Sequence, residues 1–428
     1  MRIQTITTLG VVFIAAGTTA CTDLTALEQV NPGQLSASTL YIPSNAQLLV
    51  NGAISDFECA YTRYVVGSGL LIDEISNAIG STANFDFDAR RLTTNATYGT
   101  GACGANQQPP IYTTLSTARG SADTVLARLR EWSDASMPAG VNRTKLIGQA
   151  ATYAGFSLVL LGEGMCTAAV NLSSELSSTQ LFGEAKVRFD SAVTAATAAN
   201  DAATLNLALL GRARTLLNLT QTAAAGTDAA RIPATFVANT GTDNVSLRRQ
   251  NFAFLSINQN QFNTVDASFR GVTVNGLPDP RVAVTNTGRT GTAQGSQVWT
   301  ADKYPVLTTP MPIARYAEAQ LIVAEAKQTI GDLDGAALAI NAVRATRSGV
   351  PPYDATGQTS AQVLATIIED RRRELFLEGH RLGDIRRYTL PLSPAAGTPY
   401  PGGGGEYGAQ SCFPLPDVER VNNPNIAK

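Results

Sequence analysis

The sequence predicts a mainly α-helical fold in which helix pairs build a scaffold and an irregular, loop-rich lobe carries short strands. Three observations predict it. Apolar residues recur at spacings of three and four through several long segments, which collects them on one helical face. Two such segments, from Ile313 to Gly349, make an αα-hairpin of about 37 residues, close to the roughly 34-residue period of tetratricopeptide pairs, although that repeat's signature residues are missing. Between about Ala223 and Pro312 the pattern turns polar, Gly-containing and Asn/Thr-rich, with Pro278, Pro280, Pro305 and Pro310, and reads as loop with short strands.

At the N-terminus, Arg2 is the only charge before Asp23 and Leu9 to Ala16 is apolar. That run has the length of a secretory h-region and is far short of the about 20 residues that span a bilayer. Residues 1–20 therefore read as a signal peptide and 21–428 as one domain. Gly17-Thr18-Thr19-Ala20-Cys21 resembles a bacterial lipoprotein signal, which makes Cys21 the lipidation candidate; Thr18 stands where that pattern prefers Leu, and ordinary cleavage near Ala20 is the alternative. Acyl chains on Cys21 would hold the protein on a membrane by burying about 0.8 kcal/mol per CH₂.

The helical scaffold is expected over about 22–60, 113–222 and 313–390, the lobe over about 61–112 and 223–312, and a Gly/Pro-rich loop and tail over 391–428. From Arg143, the residues Leu146, Ile147, Ala150, Ala154, Leu158 and Leu161 share a face. Further helices are expected from about Leu181 to Ala199 and from Ala202 to Leu219. Ile313, Tyr316, Ala317, Leu321 and Ala324 then form a stripe that stops at Gly331, and Asp334 is the expected N-cap of a helix ending at Gly349. The longest helix is expected over Ser360 to Tyr388. Its stripe of Leu364, Ile368, Arg371, Leu375, Glu378 and Leu382 would partly bury two charges. The four glycines Gly402 to Gly405 read as a flexible loop.

Composition narrows the chemistry. Lys and Arg number 32 against 34 Asp and Glu, for a net charge of −2, and no basic block exceeds Arg371-Arg372-Arg373, so a nucleic-acid surface is not expected. The single histidine, His380, argues against multi-His metal sites, and no metal or cofactor is expected. With Cys21 assigned to lipid, Cys59, Cys103, Cys166 and Cys412 are an even set in an exported chain and suggest two disulfides. Three connectivities are open. Cys59 with Cys103 and Cys166 with Cys412 is favoured because the first pair brackets a loop-rich insert.

The segment Ile368-Glu369-Asp370-Arg371-Arg372-Arg373-Glu374-Leu375-Phe376-Leu377-Glu378-Gly379-His380-Arg381-Leu382-Gly383-Asp384-Ile385-Arg386-Arg387-Tyr388 resembles the C-terminal signature of the SusD/RagB family. Asp279-Pro280-Arg281, Lys303-Tyr304-Pro305, Arg315 to Ala326 and Ala342-Val343-Arg344 follow that family's order. The resemblance covers about residues 279 to 388. It implies four tetratricopeptide-like helix pairs, a ligand-facing lobe, a lipid anchor at the outer membrane with the protein facing the cell exterior, and a SusC-like TonB-dependent transporter as partner. The ligand it implies is a glycan, or for some members a peptide or other nutrient, captured without catalysis. Within the signature, Arg371, Glu374, Glu378, His380, Arg381 and Asp384 are expected to be structural.

Each sharper reading has a plainer rival. His380 with Glu374 or Glu378 could be an acid/base pair; a buried network with Arg371 and Asp384 is the expected alternative. Gly99 to Gly104 satisfies a G-x-G-x-x-G spacing, but no helix follows to hold a pyrophosphate. Asp73 with Glu74, or Asp86 with Asp88, would be the carboxylates of a secreted glycoside hydrolase, yet neighbouring residues diverge in direction. A helical-repeat scaffold that binds only protein is the other rival. Tyr61, Tyr64, Phe85, Phe87, Tyr98, Tyr112, Trp132 and Trp299 are the aromatics available to a ligand, and most should be core. Tyr98 and Trp299 are the ligand-binding candidates, because each lies among Thr, Asn, Gly and Gln.

Overall fold

The structure is a computed structural model that describes residues 36–427 apart from 81, 105–107 and 294. The signal segment and Cys21 lie outside the described residues. Two units are distinguished. In the first, which ends at Ile42, the described part is the short helix α1 (Ala37–Leu40), capped by the Ser36 side chain accepting from the Thr39 N–H.

The second unit, Pro43–Lys428, carries α2 (Ala46–Leu71), α3 (Thr82–Asp88), α4 (Tyr112–Glu131), α5 (Arg143–Gly164), α6 (Ser178–Ala198), α7 (Ala202–Asn218), α8 (Thr222–Ala229), α9 (Tyr316–Thr329), α10 (Leu333–Arg344), α11 (Ser360–Glu374), α12 (Arg381–Tyr388) and α13 (Asp417–Asn422). Successive helices pack on one another in the pairs α2/α4, α5/α6, α7/α8 and α9/α10, and each pair packs on the next. Helix α11 closes the array against α9 and α10. The expected helix-pair scaffold is therefore present.

Small residues let these helices approach. A Cβ on Gly155 of α5 would sit 2.8 Å from the Phe189 ring of α6, and one on Gly211 of α7 would meet the same ring. Phe189 is thus clasped between α5 and α7 through two missing side chains. Caps set the starts: Ser177 and Gln180 form a capping box at α6, as Thr359 and Gln362 do at α11. Gly331, at φ 80°, ends the α9 segment as expected from its freedom to turn left-handed.

Short strands make up the rest: β1 (Ile75–Asn77), β2 (Thr167–Ala168), β3 (Leu176–Ser177), β4 (Val237–Asn239), β5 (Asn263–Val265), β6 (Thr273–Val274), β7 (Leu277–Pro278), β8 (Val284–Thr290), β9 (Gln297–Ala301) and β10 (Pro312–Arg315). They pair antiparallel, two by two, as β1 with β5, β2 with β3, β4 with β10, β6 with β7 and β8 with β9. The lobe is therefore small ladders and not one sheet. Disulfides join Cys59 to Cys103 and Cys166 to Cys412, with Cα separations of 6.1 and 5.0 Å, which is the favoured pairing.

Four expectations need correction. Helix α2 runs on to Leu71, into a stretch expected to be lobe, because Ala60 to Leu71 is buried all round and shows no amphipathic period. The expected lobe at 223–312 begins inside α8, whose Ala-rich turns bury Ala225 and Ala229. Asp332, not Asp334, caps α10, accepting from the Gly335 N–H at 2.9 Å. The single helix expected from Ser360 to Tyr388 is two, α11 and α12, broken where Leu377 and Gly379 take φ of 55° and 71°. The inner face of α11 is accordingly Val363, Ile367, Asp370, Arg371 and Glu374, one step round from the stripe through Leu364 and Ile368.

Candidate functional site

The break between α11 and α12 is held by charge. Arg315, between β10 and α9, donates to Glu374 Oε1 at 2.8 Å, to the Glu374 carbonyl at 2.6 Å and to Glu378 Oε2 at 2.9 Å. Lys303 pairs with Glu378 and donates to the Phe376 carbonyl at 2.7 Å. The Tyr304 hydroxyl donates to the Leu377 carbonyl at 2.8 Å, and Tyr61 Oη to the Glu378 carbonyl at 3.0 Å. Burial alone would raise the Glu378 carboxyl; Arg315 and Lys303 hold it below its ordinary value.

The remaining signature residues are spent the same way. Arg371 Nε donates to Asp384 at 2.9 Å, and Arg381 grips Asp73 at 2.8 and 2.9 Å. Arg281 bridges Asp279 and Asp370, which Arg344 also reaches at 2.9 Å, and Arg373 returns to Asp279 at 2.9 Å. Thus the Asp279-Pro280-Arg281, Lys303-Tyr304-Pro305, Arg315 and Arg344 motifs, spread through the sequence, converge on 370–388. Together they form several largely buried ion clusters, around Asp279 and Asp370, around Glu374 and Glu378, and at Arg371–Asp384 and Arg381–Asp73, that fasten lobe segments to the scaffold.

His380 is buried, and burial followed by Arg214, Arg371, Arg315 and Lys303 pushes its imidazole well below the ordinary value. It does not close the Arg371–Asp384 pair as expected. Its Nδ1 lies 3.9 Å from Glu318 Oε1, beyond hydrogen-bond reach and without a partner. Glu318 itself, almost fully buried, is pushed up to about 7 by desolvation. Three of the four paired carboxylates are also committed: Asp73 to Arg381, Glu74 accepting from the Leu377 N–H at 2.8 Å, and Asp88 from the Asn77 N–H and the Tyr400 hydroxyl at 2.9 and 2.8 Å, while Asp86 keeps some exposure.

A pH dependence follows from these groups. Burial raises Glu74, Glu318 and Asp88 to about 7 each, so the folded state holds their protons more tightly than the unfolded chain. Their contribution is complete below about pH 4 and is lost as pH rises through 7. His380 acts in the opposite sense, its contribution being present above about pH 6.5 and lost on acidification, but it is one group against three. Asp279, held down to about 2 by Arg281 and Arg373 against burial, loses its contribution only in strong acid. Urea midpoints are expected to be higher at pH 5 than at pH 7.5; a midpoint rising steadily over that interval would contradict the assignment.

The ligand candidates fare unequally. Tyr98 is fully buried, its ring packed at 6.4 Å from Phe87 and 5.5 Å from Phe413, with its hydroxyl donating to the Pro414 carbonyl at 2.8 Å. It offers no face to a ligand, since the polar neighbours in sequence are not its neighbours in space. Trp299 is half-buried on β9, with the Arg270 guanidinium 5.9 Å from its ring centre and its backbone N–H donating to Thr264 Oγ1 at 2.7 Å. Of the eight aromatics, Tyr61, Tyr64, Phe87, Tyr98 and Tyr112 are buried, while Phe85, Trp132 and Trp299 keep some exposure.

A second aromatic group escapes sequence reasoning. The Gly-rich segment is closed by a Pro399–Glu406 bridge, and it brings Tyr400 and Tyr407 within 4.9 Å of each other and Tyr400 within 4.7 Å of Phe85. Arg91 lies over Phe85 at 5.1 Å and Arg90 over Tyr407 at 4.9 Å. Tyrosines flanking a run of four glycines were the available signal, but only the folded loop shows that the rings meet. Asp266 accepts from Ser76 Oγ and the Ser268 N–H, and its charge reaches Arg270 beside Trp299 and also Arg90 and Tyr407. Half-exposed rings bordered by guanidinium and carboxylate groups can stack on sugar C–H faces and bond their hydroxyls.

The SusD family model matches residues 241–426 of this chain. No curated protein sequence matches it. Among solved structures, a SusD superfamily protein from Bacteroides fragilis superposes with TM-score 0.67 at 15% identity, covering 90% of this chain and 99% of that one. Surface glycan-binding protein A from Bacteroides fluxus gives TM-score 0.66 at 14% identity, covering 90% and 99%. A laminarin-binding SusD-like protein gives 0.64 at 14%, covering 90% and 98%. The chain has the SusD fold, and the family model's match includes the signature segment.

Proposed function

We propose that this chain, folded as a SusD superfamily protein, is a non-catalytic outer-membrane lipoprotein facing the cell exterior. It captures an oligosaccharide or glycan and passes it to a SusC-like TonB-dependent transporter. One observation carries the reading: the charged signature is consumed in scaffold ion pairs, whereas partly exposed aromatic rings with guanidinium neighbours occur in the lobe, at Trp299 and at Phe85. The carboxylates whose protons are held most tightly, Glu74, Glu318 and Asp88, are buried in packing contacts, which supports capture over hydrolysis. The glycan-binding relatives of the same fold support the ligand class.

The test is a glycan array followed by calorimetry on the best ligand. Trp299→Ala is expected to weaken binding about tenfold, the loss of roughly 1.4 kcal/mol of ring contact. Binding untouched by Trp299→Ala and Phe85→Ala together would sink the assignment, and release of shortened saccharides would sink the non-catalytic reading.

A further inference from the structure

Away from the lobe aromatics, a groove of about 280 Å³ opens between β4, the start of α9 and the turn after α10. It is lined by the half-exposed rings of Phe236 and Tyr316, the Thr235 side chain, and the guanidinium groups of Arg315 and Arg347. Its volume falls just below the roughly 300–1,000 Å³ of ligand sites, which suits one sugar residue and not a polymer.

The charged residues that line this groove, Arg315 and Arg347, are both cations, and their counter-charges lie behind it. Glu374 Oε1 accepts from both Arg315, at 2.8 Å, and Arg347, at 3.0 Å. Glu378 is likewise shared between Arg315 and Lys303. Three cations therefore rest on two carboxylates. Arg347 is the one turned outward: its side chain is 40% exposed and, among the described residues, its Nη1 has no partner. A planar guanidinium with a free edge beside aromatic rings suits a carboxylate carried on a ring.

We propose that this groove is a second saccharide site that takes a hexuronate residue, with Arg347 receiving the carboxylate and Phe236 and Tyr316 packing on the sugar ring. This rests on the reading that the chain captures saccharides, and it adds acidic sugars to the ligand class. A neutral hexose would offer no carboxylate to the Nη1 edge of Arg347 and should bind less well.

The experiment titrates the full chain with D-glucuronate and with D-glucose by calorimetry. Glucuronate is expected to saturate and to bind at least tenfold more tightly than glucose. Arg347→Gln should weaken glucuronate at least tenfold, and Arg347→Lys, which keeps the charge but not the fork, should fall between the two. Should the Gln variant fail to fold, the Lys variant carries the same comparison. Equal affinity for the two sugars, no glucuronate binding, or glucuronate binding indifferent to Arg347 would overturn the site. If neutral oligosaccharides still bind through Trp299 in that case, only the groove is lost; if no saccharide binds at all, the reading beneath it falls as well.

Discussion

Arg315→Met is expected to lower the free energy of unfolding by about 3–5 kcal/mol, measured as a loss of urea midpoint at neutral pH. The reason is the company left behind. Glu374 and Glu378 are both almost fully buried, and Arg315, itself 13% exposed, is the cation that joins them. Methionine fills much of the same volume, so the expected loss is electrostatic and not a cavity. Lys303 and Arg347 remain to offset part of the charge, which keeps the effect within that range. Adding Glu374→Gln and Glu378→Gln to Arg315→Met should recover part of the stability, because the stranded charges are then gone. A single variant costing less than about 1 kcal/mol would show that solvent already reaches the pair. The same change should loosen the hold of residues 303–304 on the α11–α12 turn, since Lys303 and Tyr304 bond to carbonyls and carboxylates that Arg315 keeps in place.

How far the fold is legible depends on whether a segment buries one face or all of them. Helix α6 announces itself because Leu181, Ala185, Phe189 and Ala192 recur on one side, whereas the second half of α2 is buried throughout and leaves no period to detect. The ion clusters are legible as a resemblance, through the order of their motifs, but not as geometry. Nothing in the spacing of Arg281, Arg315 and Arg344 says that Asp370 and Glu374 are where they end. The kink at Leu377–Gly379 is hidden because the residues on either side keep a helical rhythm. Tyr98 fails as a ligand candidate for the related reason that exposure is settled by Phe413, more than three hundred positions away in the chain. The Tyr400–Tyr407 group is invisible for the opposite reason: its glycines read as freedom, while the bridge from Pro399 to Glu406 makes them a turn.

Removing the Cys166–Cys412 disulfide, as C166S/C412S, is expected to cost about 2–5 kcal/mol, and more than removing Cys59–Cys103. The two bonds close segments separated by 246 and 44 positions. If the cross-link acts by restricting the unfolded chain, that difference alone favours the longer loop by about 1.5 kcal/mol. The folded state adds to it. Beside the bond, Cys166 N–H donates to the Phe413 carbonyl and Phe413 N–H to the Gly164 carbonyl, each at 2.9 Å, so the tail is tied to the end of α5. Phe413 then packs on Phe87 and Tyr98, which places a tail residue in the core beneath the lobe. Paired serine variants compared by thermal and urea unfolding separate the two contributions. If C59S/C103S proved the costlier change, restriction of the unfolded chain would not govern the ranking, and the local anchoring of Cys103 to α2 would have to carry the difference.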